Sequence, residues 1–199
     1  MRPEVSLHIL RKSYCLGGPR GVRVGLEPKI GPPGDFAEAE RAAFCALVRE
    51  GAQVAEAGLK ERVNRARRLV FLHNGLTLAG IAAIKQPERN YRERVFERAG
   101  VPDRGCELEL GYVVVADAYR GRKLSQELVR HAFAGFEQTA LFATSRVDRV
   151  PMHRTLKRFG FAPLGHLYQS TEEGAEVQLF IRTAAQLPAA AAGGRQVRG

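Results

Sequence analysis

The residues best suited to chemistry in this 199-residue chain lie in one segment. The extended run Glu107-Leu-Glu109-Leu-Gly-Tyr112-Val113-Val-Val115 leads through Ala116-Asp-Ala-Tyr119 into the basic turn Arg120-Gly121-Arg122-Lys123-Leu124-Ser125, and an apolar helix follows. A strand that delivers the chain into a turn at a helix start presents unpaired backbone N–H groups and the positive end of the helix dipole, which is what a bound pyrophosphate needs.

The flanking sequence supplies elements to position that turn. Asn74-Gly75 between the apolar runs Leu69–Leu72 and Leu76–Ile84 is a strong hairpin signal. Leu108–Val115 is long enough to cross a sheet, and Leu124, Leu128, Ala132 and Phe136 keep one apolar helical face, widened by Val129 and Phe133. Leu141–Thr144 reads as a short strand. Pro151 opens a helix through Met152, Leu156 and Phe159, which Gly160 ends. Leu164–Gln169 and Val177–Arg182 form a closing hairpin. Upstream, Asp35 caps a helix through Phe36, Phe44 and Val48, a second helix runs from about Val54 to Arg67, and Pro87–Gly100 is a surface helix packed by Tyr91, Val95 and Phe96.

Strand-like pieces near Ser6–Leu10 and Val22–Leu26 lie in a Gly- and Pro-rich start, so residues 1–35 read as an arm or edge hairpin and residues 36–186 as one domain. The basic, alanine-rich segment 187–199 reads as a disordered tail. No apolar run nears the roughly 20 residues of a membrane span, and the N-terminus lacks the apolar stretch of a secretory signal, so a cytoplasmic protein without membrane partners is expected. Cys15, Cys45 and Cys106 are too few and too dispersed for a disulfide framework or a zinc motif, and no metal is expected. The net charge of +10 favours anionic partners.

Taken in order, the hairpin, strand, basic loop, helix, strand, the helix ending in Phe159-Gly160-Phe161 and the terminal hairpin resemble the GNAT superfamily of acetyl-CoA-dependent N-acetyltransferases. The family's Gln/Arg-x-x-Gly-x-Gly/Ala loop aligns with Arg120 to Ser125, with Lys123 in place of the first glycine and Ser125 in place of the second small residue. The resemblance implies an α/β (α+β) fold, with a mixed, mostly antiparallel central sheet and helices on both faces. It also implies transfer of an acetyl or other short acyl group from acetyl-CoA to a primary amine by direct attack in a ternary complex.

By the same resemblance, the backbone N–H of Val115 meets the thioester carbonyl, and Val113 and its neighbours pair with pantetheine amides as an added strand. Arg120, Gly121, Arg122, Lys123, Leu124 and Ser125 hold the pyrophosphate, with Ser125 also able to cap the helix. Glu109, six residues before Val115 and so read as sharing its face, is the candidate general base; Glu107 is the reserve. Where many relatives have a tyrosine acid this chain has Leu156, leaving Tyr112, Tyr119, Tyr168, Ser145 or water to protonate the leaving thiolate. Arg146 and Arg149 are candidates to bind an acceptor carrying carboxylate or phosphate, and a nucleic acid is a minority expectation. The acceptor itself is small or macromolecular, and the terminal hairpin is an element that two copies could exchange in a homodimer. A competing reading is a GNAT fold that no longer catalyses and serves as a CoA sensor or basic nucleic-acid-binding module.

Overall fold

The computed structural model describes residues 25–51, 55–170 and 174–183. Among these residues seven strands form one sheet: β1 (Leu26–Gly31), β2 (Arg68–Asn74), β3 (Thr77–Lys85), β4 (Leu108–Val115), β5 (Leu141–Arg146), β6 (Ala162–Gln169) and β7 (Glu176–Arg182). Their order is β1-β2-β3-β4-β5-β7-β6. Every pairing is antiparallel except β4 with β5. The mixed, mostly antiparallel sheet expected from the sequence is thus the one observed.

Among the described residues five α-helices flank it: α1 (Glu38–Gly51), α2 (Leu59–Asn64), α3 (Arg89–Arg98), α4 (Leu124–Phe133) and α5 (Val150–Arg158). One face carries α4 and α5 over Ile84, Leu110, Leu128, Val129, Leu141 and Leu156. The opposite face carries two apolar clusters. Phe44, Val48 and Val63 of α1 and α2 pack there on Phe71, Ile81 and Val114, and Val95 and Phe96 of α3 pack on Phe142, Leu179 and Ile181.

Several boundaries differ from the sequence reading. Leu26–Gly31 is a full edge strand paired with β2, so the sheet begins ten residues before Phe36; Pro28 is tolerated there because an edge strand leaves one side of its backbone unpaired. Asp35 belongs to a short 3-10 turn rather than capping α1. Instead Glu40 reaches back to accept the Ala37 N–H at 2.8 Å, half of a capping box. Gly58, at φ +68°, precedes α2, which spans only Leu59–Asn64 rather than the longer helix expected. Gly135, at φ +85°, follows α4 before Phe136 is reached. Leu76 is a fully exposed tip of the β2–β3 hairpin and not a strand residue. The strand expected near Ser6–Leu10, the residues Val22–Val24 and the segment 187–199 lie outside the described residues. Among the described residues, no helix is long and apolar enough to cross a membrane.

Candidate active site

Strand β4 pairs with β3 along its length but meets β5 only at Leu108/Leu141 and Glu109/Phe142. Beyond Glu109 the two parallel strands part, opening a cleft of about 550 Å³ lined by β4, β5, α3 and α5.

The β3–β4 register slips between Ile81 and Ala83, so Tyr112 and Val113 together oppose Ala82. Tyr112 takes φ +51°, and this β-bulge reverses the alternation of side chains. Before it, Leu108 and Leu110 face the α4 side; after it, Val113 and Val115 do. Glu109 therefore points to the α3 side, opposite to Val115. The sequence reading that placed them on one face is overturned, because six residues of a regular strand preserve the face and six that include a bulge do not.

The Ala116 N–H donates to Ala79 O at 3.0 Å. In an antiparallel ladder the adjoining pair, Val115/Gly80, is then a non-hydrogen-bonded one, and the Val115 N–H is directed away from β3 toward the gap left by β5. Val113, one of the two bulge residues, lines the cleft as well.

After β4 a 3-10 turn, Asp117–Tyr119, carries the chain to the basic loop. Tyr119 is buried, its hydroxyl accepts from Asn74 Nδ2 at 3.3 Å, and the Arg122 guanidinium lies 5.4 Å over its ring. This phenol anchors the loop. Arg120 pairs with Asp117 at 2.7 Å. Gly121 and Lys123 both take positive φ, +79° and +60°, the conformation a glycine adopts most readily. Lys123 thus keeps the backbone course of the glycine it replaces, at a cost of roughly 1–2 kcal/mol.

The first backbone N–H of this stretch to find an acceptor is that of Gln126, bonded to Lys123 O at 3.0 Å. The five before it, from Gly121 to Ser125, donate to nothing among the described residues. They surround the start of a ten-residue helix whose dipole adds to their positive potential. Ser125 does not cap α4: it is the second helical residue, and the cap position is Lys123, without a side-chain bond. Ser125 instead lines the cleft.

The cleft floor holds the main electrostatic feature. Glu109 is 2% exposed, and its Oε2 accepts from Lys85 Nζ at 2.6 Å. The lysine lies directly across the ladder on β3, with its ammonium 4.9 Å from the Tyr112 ring centroid and 5.5 Å from that of Tyr91. Burial alone would pull the Lys85 ammonium down, yet the Glu109 carboxylate and the Tyr91 and Tyr112 phenols outweigh it and hold Lys85 above the ordinary lysine range. The Glu109 charge, followed by burial, pushes the Tyr91 phenol up to about 12. Burial, then Tyr91 and Glu109, raises Tyr168.

Tyr112 is held by Arg62, whose Nε donates to its hydroxyl at 3.4 Å. Ser145 is buried and bonds Arg146 O at 3.4 Å. Leu156 is buried in the α4 core. Glu107 precedes β4 and does not line the cleft. At the mouth, Arg146 is bonded through two nitrogens to Asp148, at 3.1 and 2.7 Å, whereas the exposed Arg149 side chain makes no hydrogen bond or ion pair among the described residues. The sequence reading does not single out Lys85, and it gives Tyr91 only a packing role on the surface helix. A strand-end lysine and a helix tyrosine 24 and 18 residues from Glu109 carry no spacing signal. Among the described residues, no group of three or more His, Cys, Asp or Glu side chains is placed to hold a metal.

A family model described as "Acetyltransferase (GNAT) family" matches residues 35–161. Among solved structures, an acyl-CoA N-acyltransferase from Pseudomonas aeruginosa superposes with a TM-score of 0.60 at 15% identity, covering 79% of this chain and 99% of that one. ElaA of Escherichia coli gives 0.57 at 15% identity, with 79% and 99% covered. NAA60 of Arabidopsis thaliana, solved with a bisubstrate analogue, gives 0.55 at 13% identity, with 78% and 97% covered. No curated protein matches significantly in sequence. With most of its length matched by the family model and its strands parted beside an uncapped helix start, this chain belongs to the GNAT acetyltransferase family.

Proposed function

We propose that the protein transfers an acetyl or other short acyl group from acetyl-CoA to a primary amine by direct attack within a ternary complex. The observation that carries this reading is the run of unpartnered N–H groups from Gly121 to Ser125, whose last residue, Ser125, lines the same cleft as the buried Glu109 carboxylate. The run suits a diphosphate, and Arg120, Arg122 and Lys123 add positive charge around it. The N–H groups of Val113 and Val115 suit the amides and carbonyl of an extended pantetheine arm entering where β5 departs. A donor at the thioester carbonyl strengthens as negative charge develops there, and such donors are typically worth roughly 10²–10³ in rate.

The amine nitrogen forms the new C–N bond as the C–S bond breaks. Its surplus proton passes to Glu109, directly or through one water. The departing thiolate takes its proton from solvent, and Tyr168, which lines the cleft without a hydrogen-bond partner among the described residues and is held protonated by burial, donates a hydrogen bond to the sulfur. Arg149 favours an acceptor whose amine is accompanied by a carboxylate or phosphate, and Arg146, already paired with Asp148, contributes less.

Calorimetric titration with acetyl-CoA tests the binding step, and thiol release with phosphoethanolamine, β-alanine, ethanolamine and putrescine tests transfer. Binding in the micromolar range with turnover of the two anionic amines is expected. No binding at millimolar acetyl-CoA would remove the reading. Binding without turnover of any amine would leave a CoA-sensing protein.

A further inference from the structure

We infer that Lys85 is the positioning residue of the acceptor site: it holds the Glu109 carboxylate by Oε2 and leaves Oε1 turned to the cleft for the incoming amine. The inference rests on reading the cleft as an acyl-transfer site.

Three observations carry it. First, Lys85 Nζ bonds only one carboxylate oxygen, at 2.6 Å. Glu109 Oε1 has no partner among the described residues, yet the one buried side-chain atom there without a partner is Arg41 Nε. Oε1 is therefore reached by solvent, and the cleft that Glu109 lines is where that solvent stands. Second, the lysine is fixed along its length. Its stem lies against Gly111, where a Cβ would come within 2.7 Å of Lys85 Cδ, and its head sits between the Tyr91 and Tyr112 rings. Third, the pair is buried beside apolar groups, Glu109 across the ladder from Phe142 and Lys85 over the Tyr112 ring, a place where a lone carboxylate would have nothing to hold its charge or its orientation.

The groups facing Glu109 are few. Lys85 comes from β3, Tyr91 from α3, Tyr112 from its own strand and Tyr168 from β6; Arg98 of α3 acts on Tyr168, and Arg146, Asp148 and Arg149 stand at the mouth. Lys85 is the sole cation among them in contact with the carboxylate. With the pair internally neutral, the floor attracts an amine by hydrogen bonding at Oε1 rather than by net charge. An acceptor that arrives as a neutral amine, or that sheds its proton on entry, is the chemistry this floor recognises.

The test compares wild type with Lys85→Met, Lys85→Arg, Glu109→Gln and the Lys85→Met/Glu109→Gln double variant. In protein labelled with ¹³C at glutamate Cδ, the Glu109 resonance is assigned by its loss in Glu109→Gln and titrated. The expected result is that Lys85→Met moves the Glu109 titration to higher pH, while Lys85→Arg leaves it near that of wild type. With phosphoethanolamine or β-alanine as acceptor, Lys85→Met is expected to lower kcat about 10- to 100-fold, to move the acid limb of the pH–rate profile upward, and to leave KM for acetyl-CoA within about twofold. In the Glu109→Gln background the same change is expected to cost less than about threefold more. An unmoved Glu109 titration in Lys85→Met, or full additivity of the two substitutions, overturns the inference. Because the titration needs neither ligand nor turnover, it decides the matter even if acetyl-CoA fails to bind, an outcome that would instead sink the functional reading.

Discussion

A Cβ placed on Gly111 would lie 2.7 Å from Cδ of Lys85, so the absence of a side chain at one strand position lets the lysine of the neighbouring strand lie flat and reach Glu109. Alanine has the better intrinsic strand propensity and would ordinarily be harmless there. Here Gly111→Ala is expected to destabilise the protein by about 1–2 kcal/mol, since the lysine stem is held between β4 and two aromatic rings and has little room to yield. Urea unfolding checks this. The loss should shrink once Lys85 is shortened to Ala, and an equal loss in both backgrounds would place the strain elsewhere.

His131 lies in the last turn of α4, where burial, and then the neighbouring Arg130, pull its pKa down to about 4 from an ordinary 6.5. A histidine that titrates lower in the folded chain than in the unfolded one is held neutral by folding. Its contribution is fully present above about pH 6.5 and is lost as the pH falls toward 4. Unfolding free energy is expected to drop by about 2 kcal/mol across that window from this group. His131→Gln, which cannot charge, should flatten that part of the stability profile measured by urea at pH 7.5 and 4.5. An identical slope in the variant would refute the assignment.

Lys123 at φ +60° holds a conformation that glycine adopts at little cost, and its ammonium has no partner among the described residues. Lys123→Gly is expected to stabilise the free protein by about 1 kcal/mol, a rise in Tm of about 2–4 °C for a chain of this size. The same variant should bind acetyl-CoA more weakly at low salt and show a smaller salt dependence, because one cation has left the diphosphate's surroundings. A stability gain without any change in salt dependence would leave Lys123 outside the binding site.

Periodicity made much of this fold legible from the residues alone. Strand Leu108–Val115, the α4 stripe through Leu128 and Ala132, the Asn74-Gly75 hairpin and Pro151 in the first turn of α5 all stand where the pattern put them. What was hidden followed from local exceptions. Tyr112 gives no sign of its positive φ, so the bulge that separates Glu109 from Val115 could not be read, and the face assignment inherited the error. Lys85 and Glu109 meet only because β3 and β4 are in register, 24 residues apart. Edge strand β1 was obscured by Pro28, Lys29 and Gly31, residues an edge tolerates and a central strand does not. The order of residues in the basic loop suggested an anion cradle, a role that stands as a proposal, and its unpaired donors emerge only when the backbone bonds are traced.

Those donors can be tested one at a time at Ser125. Proline at this second helical residue removes a backbone N–H and keeps helical φ, and α5 of the same chain already carries Pro151 at the equivalent position. Ser125→Pro should therefore fold, with stability lowered by less than about 1 kcal/mol, because the N–H it removes has no partner in the protein. Ser125→Ala removes the hydroxyl and keeps the N–H, so the difference between the two variants isolates the backbone donor. If the diphosphate of acetyl-CoA rests on this run, Ser125→Pro weakens binding about tenfold beyond Ser125→Ala, as expected for one hydrogen bond to a charged group. Calorimetry on the two proteins reads that ratio directly. Equal affinities would place the diphosphate away from the start of α4, and with it the pantetheine path along Val113 and Val115.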